Sequence, residues 1–319
     1  MVNNDNYTSI IWNTWVDRIE AMRVLVAAVD GGSLSAAGRA LGMPLATVSR
    51  KVSELETLLN ARLLIRTTRR LAETDAGRVY IASCRRILED VEEAERTAAG
   101  EYTEPRGELI VTAPIVLGRL HVAPVAAEFL RTYPEVQLRL VLGDRQLNLQ
   151  EEHIDAAVRI GELQDSSAVV TRLGVVHMVV CGSLSYMADR GMPRHPRELS
   201  RHDLVVFSGL ATANAWRFGS GKETYTAALR PRFTVNTAEA AIDGAIAGAG
   251  LTRVLSYQVQ SAFEAGKLVR VLRAYEPPPL PVNLLYAGRG RLPQKLRAFM
   301  DFVSPRLRAR LQAGGSRPR

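Results

Sequence analysis

Hydroxyl and cationic side chains gather on one side of the segment Pro44–Asn60. Its apolar residues recur at three- and four-residue spacing, as in a helix that buries one face. The opposite face offers Thr47, Ser49, Arg50 and Lys51. These groups donate hydrogen bonds or carry positive charge, and proteins use them to bind phosphates and base edges. The segment therefore predicts contact with a nucleic acid.

The charge around this segment favours the same function. Between Leu34 and Leu71 the chain carries seven arginines and lysines against two glutamates, an excess that supplies more than half of its net charge of +8. Such a local excess is the electrostatic footprint of a phosphate-binding surface. The alternative is a small helical bundle whose basic face is only solvated.

Two short helices are predicted to position these side chains. A helical pattern over Ser33–Leu41 stops at Gly42, and a second begins at Pro44, which suits a first helical turn because it has no N–H to lose. Two short helices joined by such a turn predict a helix-turn-helix, whose second helix enters the major groove of DNA. Asp17 is the predicted N-cap of a preceding helix. The Thr- and Arg-rich residues after Asn60 predict a β-hairpin, or wing.

A long helix is predicted after Thr74, its expected cap, and Glu104–Gly107 ends it. Its apolar residues form one seam of coiled-coil type beside an acidic outer surface. A single apolar stripe with no core nearby needs a partner, so we predict a homodimer joined through this seam. The alternative is a helix that lies along its own domain. The predicted dimer residues are Tyr80, Cys84, Ile87, Val91, Ala94 and Ala98.

Beyond residue 107, strands alternate with helices, which predicts parallel sheets in an α/β structure. Predicted strands include Glu108–Thr112, Val136–Leu142 and Ala156–Ile160. The stretch Val169–Val180 is predicted as strand, turn and strand around Gly174. At 319 residues the chain is long enough for two or three domains.

The composition excludes several protein classes. Hydrophobic residues make up 47% and charged residues 23%, as in ordinary globular proteins. A pI near 9.8 favours a polyanionic partner. No apolar run approaches about 18 residues and no secretory signal is recognised, so no membrane span is predicted. Only Cys84 and Cys181 occur, far apart, which predicts no disulfide framework and favours a cytoplasmic location.

An enzyme is one competing class, but its motifs are incomplete. Gly219–Lys222 has the end of a phosphate loop, yet Trp216 stands where glycine is needed and Glu223 where Ser or Thr is needed. Gly248–Gly250 is too short for a dinucleotide fingerprint and follows a predicted helix. The five histidines lack metal-ligand spacing, and no G-x-S-x-G motif is found. No catalytic residue, metal or cofactor is therefore predicted.

Family motifs occur in one uninterrupted order in the first hundred residues. A Ser-x-x-Ala-Ala cluster, a Ser-containing recognition helix, Leu-Glu, an Arg-rich wing and Thr-x-Ala-Gly stand at Ser33–Ala37, Thr47–Ser49, Leu55-Glu56, Leu63–Arg70 and Thr74–Gly77. With these motifs the chain resembles the LysR-type transcriptional regulators of bacteria. Four segments of the C-terminal part resemble the effector domain of that family: Gly107–Pro114, Phe129–Pro134, Asp155–Gly161 and Asn236–Gly250. Asn60 replaces the usual Gly and Leu64 the usual Phe, although Asn also adopts the left-handed conformation.

The resemblance implies a winged helix-turn-helix, a long dimerising linker helix and a two-lobed α/β effector domain similar to periplasmic binding proteins. The implied divisions are 1–16 for an N-terminal extension, 17–73 for the DNA-binding domain, 74–104 for the linker and 105–319 for the effector domain. Lobe one would be 107–180 plus 283–310 and lobe two 181–282, with crossings near Cys181 and Val282. The family commonly forms dimers of dimers, and RNA polymerase is a further candidate partner.

The candidate base-reading residues are Ala46, Thr47 and Arg50, because Arg can bind guanine bidentately and the Thr methyl can contact thymine. The alternative for Ser33 and Ser49 is helix capping or back-bonding. Residues assigned to phosphates, where they set register, are Ser33, Ser35, Ser49, Lys51, Arg66, Thr67, Arg69 and Arg70.

The expected effector site is the cleft between the lobes, because ligands gather where domains meet. A strand there is followed by a helix whose free N–H groups would attract an anion. These features suit a small carboxylate, aromatic or otherwise, with Arg159 as counter-ion; the alternative is an Arg159 engaged in a structural ion pair beside a pocket for a neutral ligand. The candidate residues are Thr112, Ala113, Pro114, Ile115, Arg159, Gly161, Phe207, Asn236 and Thr237.

Two further alternatives concern the C-terminal part. The effector domain alone would suggest a solute-binding protein, but the attached helix-turn-helix argues against that class. Cys181, near the expected crossing, is either a redox sensor or a structural thiol.

Overall fold

The computed structural model describes residues 17–66, 71–98, 104–145, 149, 152–163, 168–209, 215–287 and 292–315. The chain divides into two compact units, Met1–Thr103 and Glu104–Arg319. Each unit has its own hydrophobic core. No helix among the described residues is both long and apolar enough to span a membrane.

The first unit is built from helices and one hairpin. Its elements are α1 (Arg18–Asp30), α2 (Leu34–Leu41), α3 (Leu45–Leu58), β1 (Leu64–Arg66), β2 (Leu71–Glu73) and α4 (Asp75–Ala98). Asp17 caps α1 as predicted, since its carboxylate accepts the N–H of Glu20 at 3.0 Å. Val24, Leu25 and Val48 are fully buried where α1 packs against α2 and α3.

Glycines shape the turn between α2 and α3. Gly42 ends α2 in the left-handed region, with φ of +64°, where a side chain would be strained. A Cβ on Gly38 would lie 2.7 Å from the carbonyl oxygen of Met43, so the turn can only fold closely over a glycine. Pro44 is the N-cap of α3 and not its first helical residue. The predicted helix-turn-helix is confirmed.

A buried carboxylate joins α3 to the wing. Glu56 accepts the backbone N–H groups of Leu63 and Leu64 at 2.8 and 3.1 Å, which satisfies a charge that would be costly to bury alone. Asn60 takes the left-handed conformation, with φ of +49°, as its replacement of the family glycine requires. The strands of the wing then pair antiparallel, with Ile65 opposite Ala72.

The start of α4 explains the Thr-x-Ala-Gly motif. Thr74 donates its hydroxyl to the carbonyl oxygen of Arg62 at 2.7 Å and accepts the N–H of Gly77 at 2.8 Å. A Cβ on Gly77 would lie 2.0 Å from the carbonyl oxygen of Leu63, so no other residue fits there. The motif therefore fixes α4 on the chain segment that enters the wing.

The second unit contains two five-stranded sheets, each the centre of one lobe. The sheet of lobe one has the order β4-β3-β5-β14-β6 and that of lobe two β11-β8-β12-β7-β13. The strands are β3 (Gly107–Ala113), β4 (Val136–Leu142), β5 (Ala156–Ile160), β6 (Ala168–Val176), β7 (Met178–Gly182), β8 (Leu204–Phe207), β9 (Ala215–Phe218), β10 (Tyr225–Ala228), β11 (Phe233–Val235), β12 (Leu251–Leu255), β13 (Val269–Val271) and β14 (Leu280–Ala287). Strands β9 and β10 form a separate antiparallel hairpin.

Helices cover these sheets. They are α5 (Ile115–Leu117), which continues through a π-helical turn (Gly118–Val122) into α6 (Ala123–Thr132), then α7 (Leu184–Arg190), α8 (Ala238–Ile246), α9 (Gln260–Glu264) and α10 (Gln294–Gly315). In lobe one, Phe129 of α6 meets Phe299 of α10 edge to face at 5.3 Å. The predicted fold class is confirmed.

The predicted lobe boundaries are wrong by a few residues. Strand β6 belongs to the first sheet and β7 to the second, so the chain crosses at His177 and not near Cys181. It has already returned at Leu280, where β14 begins. The sheets are also mixed rather than parallel, since β14 runs antiparallel to β5 and β7 antiparallel to β12. A strand that arrives from the other lobe enters its sheet from the opposite end.

The predicted turn at Gly174 is wrong. Strand β6 runs through this residue to Val176, and Gly174 pairs with Val282. A Cβ at Gly174 would come within 3.4 Å of the Leu311 side chain of α10. The glycine therefore allows α10 to pack closely on β6. Glycine within a strand can thus mark a close contact as well as a turn or bulge.

Candidate functional sites

The exposed face of α3 combines apolar and cationic groups. Val48, Val52 and Leu55 are fully buried in the core of the first unit. Ala46 and Arg50, one turn apart, are both exposed, and 65% of the Arg50 side chain is accessible. Thr47 is half-buried beside them. The structure thus brings the three predicted base-reading residues together in the first part of one helix.

Ion pairs divide the cations of α3 into two kinds. Arg50 donates to the carboxylate of Glu54 at 3.0 Å on the exposed surface, where such pairs contribute little and exchange easily. Lys51 forms an ion pair with Glu20 of α1, and only 15% of its side chain is accessible. The ammonium group of Lys51 therefore joins α3 to α1, and a phosphate contact of Lys51 would compete with this ion pair.

The hydroxyl residues assigned to phosphates differ in their surroundings. Ser33 is the N-cap of α2, accepting the N–H of Ala36 at 3.1 Å, which was the stated alternative. Ser35 is exposed and Ser49 is half-buried. In the wing, the backbone of Arg66 pairs with Leu71. Thr67, Arg69 and Arg70 lie outside the described residues.

Sequence periodicity missed two residues on this surface. Leu45 continues the spacing of the buried residues, yet 51% of it is exposed because it is the first residue of α3. Glu54 follows Arg50 by four residues, a spacing that predicts an ion pair on a helix. The spacing in the sequence would therefore have predicted the ion pair of Glu54, whereas for Leu45 it wrongly predicts burial.

The apolar seam of α4 is divided between two environments. Cys84 is fully buried in the core of the first unit with Ile81 and Leu88, and Tyr80 packs against the same core. Tyr80 and Cys84 therefore contact their own domain and not a partner helix. For this part of α4 the alternative, a helix lying along its own domain, describes the structure. Ile87 is 38% exposed. Further along α4, Val91 is half-buried and Ala94 and Ala98 are exposed.

The start of α5 is already capped. The N–H of Ile115 donates to the carboxylate of Asp144 at 3.1 Å. The prediction that this N–H is free for an anion is contradicted, because a second carboxylate would meet the charge of Asp144. Pro114 is half-buried beside it. Any anionic ligand must then find its positive partner elsewhere.

A buried polar pair lies on one face of the first sheet. Thr112 pairs with Ala157 in the register of β3 and β5, and Arg159 follows two residues later, so both side chains share a face. Arg159 is 8% exposed, and Thr112, like Ala113 beside it, is fully buried. The Arg159 Nη2 and Thr112 Oγ1 atoms form no hydrogen bond with any described residue. Burial lowers the pKa of the Arg159 guanidinium.

The contacts of Arg159 show whether it is engaged in a structural ion pair. Its Nη1 donates to the carbonyl oxygen of Val158 at 3.3 Å. Neighbouring Asn283 of β14 is also buried. Within the described ranges Arg159 has no carboxylate partner, so the structural ion pair is not found there. Gly161 follows β5 with a φ of +102°, and its N–H donates to the carbonyl oxygen of Pro281 in β14 at 2.9 Å.

Lobe two presents the start of α8 to lobe one. Thr237 caps that helix by accepting the N–H of Ala240 at 3.2 Å, and Asn236 beside it is exposed. Arg119 of the π-helical turn reaches Glu239 of α8 at 3.5 Å. The ring of His121 meets Tyr257 edge to face at 5.7 Å. Phe207, in contrast, is buried in the core, so its side chain does not line the accessible surface of the cleft.

Arg253 of β12 is a second buried arginine, which sequence reasoning missed. It is 8% exposed, and its Nη1 has no hydrogen-bond partner among the described residues. Its guanidinium lies over the ring of Phe218 at 5.3 Å, a favourable cation–π contact. Burial lowers its pKa to about 10.

Cys181 is fully buried in the second sheet, and burial raises the pKa of its thiol to about 12. The thiolate is the reactive form of cysteine. The structure therefore favours the structural alternative over a redox sensor.

Comparison with known proteins places both units in one family. Residues 19–78 match the family described as bacterial regulatory helix-turn-helix protein, lysR family, and residues 103–308 match the LysR substrate binding domain. A transcriptional regulator of Xanthomonas campestris is 38% identical over 289 residues, covering 89% of this chain and 84% of that protein. A transcriptional repressor of Pseudomonas aeruginosa is 36% identical over 290 residues, covering 90% and 92%.

A solved structure agrees with this assignment. The LysR-type transcriptional regulator CrgA from Neisseria meningitidis is similar at a TM-score of 0.58 and 31% identity, over 90% of this chain and 98% of that one. The family binds promoter DNA and small-molecule effectors and forms oligomers. The chain belongs to the LysR family of bacterial transcriptional regulators, and is therefore a DNA-binding regulator with an effector-binding domain and not an enzyme.

Proposed function

We propose that this regulator places α3 in the major groove, with Ala46, Thr47 and Arg50 at base edges. The observation that carries the proposal is the shared exposure of Ala46 and Arg50 one turn apart, on the side of α3 opposite the fully buried Val48, Val52 and Leu55. The N-terminal residues of a recognition helix are those that meet bases. Phosphate contacts are proposed for Ser33, Ser35, Ser49, Arg66, Thr67, Arg69 and Arg70.

A mobility-shift assay tests this proposal. The probe is the DNA upstream of the protein's own gene, because regulators of this family often act on a neighbouring, divergently transcribed gene. We expect a shift at low salt that survives an excess of unrelated DNA. Absence of a shift with every fragment from that region would contradict the proposal.

We further propose that the effector is a small carboxylate, aromatic or otherwise, received by Arg159 and Thr112. A buried guanidinium without a carboxylate partner is unfavourable, and a ligand carboxylate would supply the missing acceptor in the strongest class of hydrogen bond. Capping of Ile115 by Asp144 leaves Arg159 as the better partner for the anion. Isothermal titration with benzoate tests this, and benzamide is the uncharged control.

A dimer formed through α4 is proposed on a smaller surface than the sequence indicated. Ile87, Val91, Ala94 and Ala98 remain as its contacts. An exposed isoleucine on a long helix is stabilised by a partner helix of the same kind. Ile87→Glu is expected to weaken the dimer, as seen by sedimentation at micromolar concentration, and an unchanged dimer would contradict this contact. Assembly as a dimer of dimers, contact with RNA polymerase and a cytoplasmic location complete the proposal.

The two functions are proposed to be coupled by lobe closure. Effector binding would favour one of two lobe arrangements and so change the spacing of the two recognition helices on DNA. The effect is limited by the difference between the effector's affinities for the two states. The proposed functional divisions remain 17–73, 74–104 and 105–319. Identical footprints and DNA bending with and without a bound effector would contradict the coupling.

A further inference from the structure

Leu45 is an exposed apolar side chain at the N-terminal end of α3. It is the first residue of that helix, and 51% of it is exposed. The residues one and two turns along the same side, Val48 and Val52, are fully buried. The apolar stripe of α3 therefore extends past the edge of the core into solvent.

The direction of this side chain is set by the helix. Side chains of a helix tilt toward its N-terminus, so Leu45 projects beyond the first turn of α3. The N-terminal residues of a recognition helix contact base edges. This inference rests on the proposed function, because it requires α3 to be the helix that enters the groove.

The chemistry of the major groove offers one apolar partner. Each base pair presents hydrogen-bond donors and acceptors there, and only thymine adds a methyl group. Leucine cannot form a hydrogen bond, and it would desolvate a polar base edge without replacing the lost bonds. Against a thymine methyl, the same leucine gains apolar contact on both sides.

We propose that Leu45 determines sequence specificity by contacting the 5-methyl group of a thymine in each half-site. Arg50, five residues further along α3 and on its exposed face, selects a different base by hydrogen bonding. Leu45 thus reads an apolar feature beside a polar one, and the two contributions are separable.

Deoxyuridine differs from thymidine only by the missing methyl group, so it tests the contact directly. Each thymine within the bound fragment is replaced singly by deoxyuridine, and binding is measured for the full-length wild-type protein. We expect a loss of roughly fourfold at one thymine of each half-site, as for the burial of one methyl-sized group.

Three variants assign that loss to a residue. Leu45→Ala should bind the thymine and deoxyuridine fragments equally, whereas Leu45→Met, which keeps the apolar volume, should retain the difference. Leu59→Ala is the matched control, because Leu59 is 37% exposed just beyond the opposite end of α3. It should show the wild-type pattern. Circular dichroism checks that each variant is folded.

Two results would overturn the inference while leaving the proposed function intact. One is binding by the wild type with no thymine position sensitive to deoxyuridine. The other is the same sensitive position in Leu45→Ala as in the wild type. Failure of the wild type to bind any of the fragments would overturn both.

Discussion

Arg50 and Arg159 carry the same charged group in opposite surroundings. Arg50 is 65% exposed and has an ion-pair partner, Glu54. Arg159 is 8% exposed and has no carboxylate partner among the described residues. An arginine in a surface ion pair can exchange its carboxylate for a phosphate or a base at little cost. A buried arginine without a partner is unfavourable unless an anion binds to it. The comparison supports the proposals that Arg50 contacts DNA and that Arg159 receives a small anionic effector.

The largest effect is expected from Arg159→Met. Hydrogen bonds to charged groups contribute about 1.5–3 kcal/mol, so benzoate affinity should fall roughly tenfold to a hundredfold. The free energy of unfolding of the ligand-free protein should be unchanged or higher, because the variant removes a buried charge. Titration calorimetry and thermal denaturation measure the two effects. Arg253→Met is the matched control, being equally buried but stacked on Phe218; equal losses in both variants would contradict the role of Arg159.

Arg50→Ala should have the next largest effect. We expect specific binding to weaken by about 1–3 kcal/mol and the preference at one base pair to relax. Fluorescence anisotropy on a set of singly substituted operators measures both. Arg23→Ala removes the same charge from the exposed side of α1 and should leave the base preference as in the wild type. A uniform loss in Arg50→Ala across all operators would reassign Arg50 to phosphate.

A smaller effect of opposite sign is expected from Glu54→Gln. The substitution releases Arg50 from its surface partner, whose contribution is about 0.3–0.5 kcal/mol, so DNA binding should become up to about twofold tighter. A double-mutant cycle with Arg50→Ala separates this release from the general removal of a negative charge. Additive effects in that cycle would show that the pair does not restrain Arg50.

The smallest effect is expected at the two thiols. Burial raises the pKa of Cys84 to about 11 and that of Cys181 to about 12, so both are protonated and unreactive at pH 8. The native protein should take up no iodoacetamide, as measured by mass spectrometry, while the unfolded chain should be labelled twice. Rapid labelling of native Cys181 would restore the redox interpretation.

Local signals predicted the elements that depend on local chemistry. Asp17 and Thr74 act as caps, and Asn60 adopts the left-handed conformation, because each effect involves only residues a few positions away. Gly174 shows the limit of such signals. The missing side chain at Gly174 makes room for Leu311, which is distant in the chain. No local sequence pattern distinguishes a glycine needed for such packing from a glycine needed for a turn.

Packing also explains the errors at the candidate sites. Cys84 and Ile87 belong to the same predicted stripe, but the helix-turn-helix covers only the first of them. Lys51 faces Glu20 because α1 crosses α3 there. Asp144 reaches Ile115 from another loop. In each case a partner distant in sequence changes the role of a residue whose type alone favoured a ligand contact.

DNase I footprinting of the region upstream of the gene tests most directly whether α3 reads DNA sequence. Wild type should protect two half-sites separated by about 10–10.5 base pairs or a multiple, as two-fold related recognition helices require. Arg50→Ala should lose this protection at the same protein concentration. An absence of protection by the wild type at low salt, or an identical footprint from both proteins, would contradict the assignment of α3 as the recognition helix.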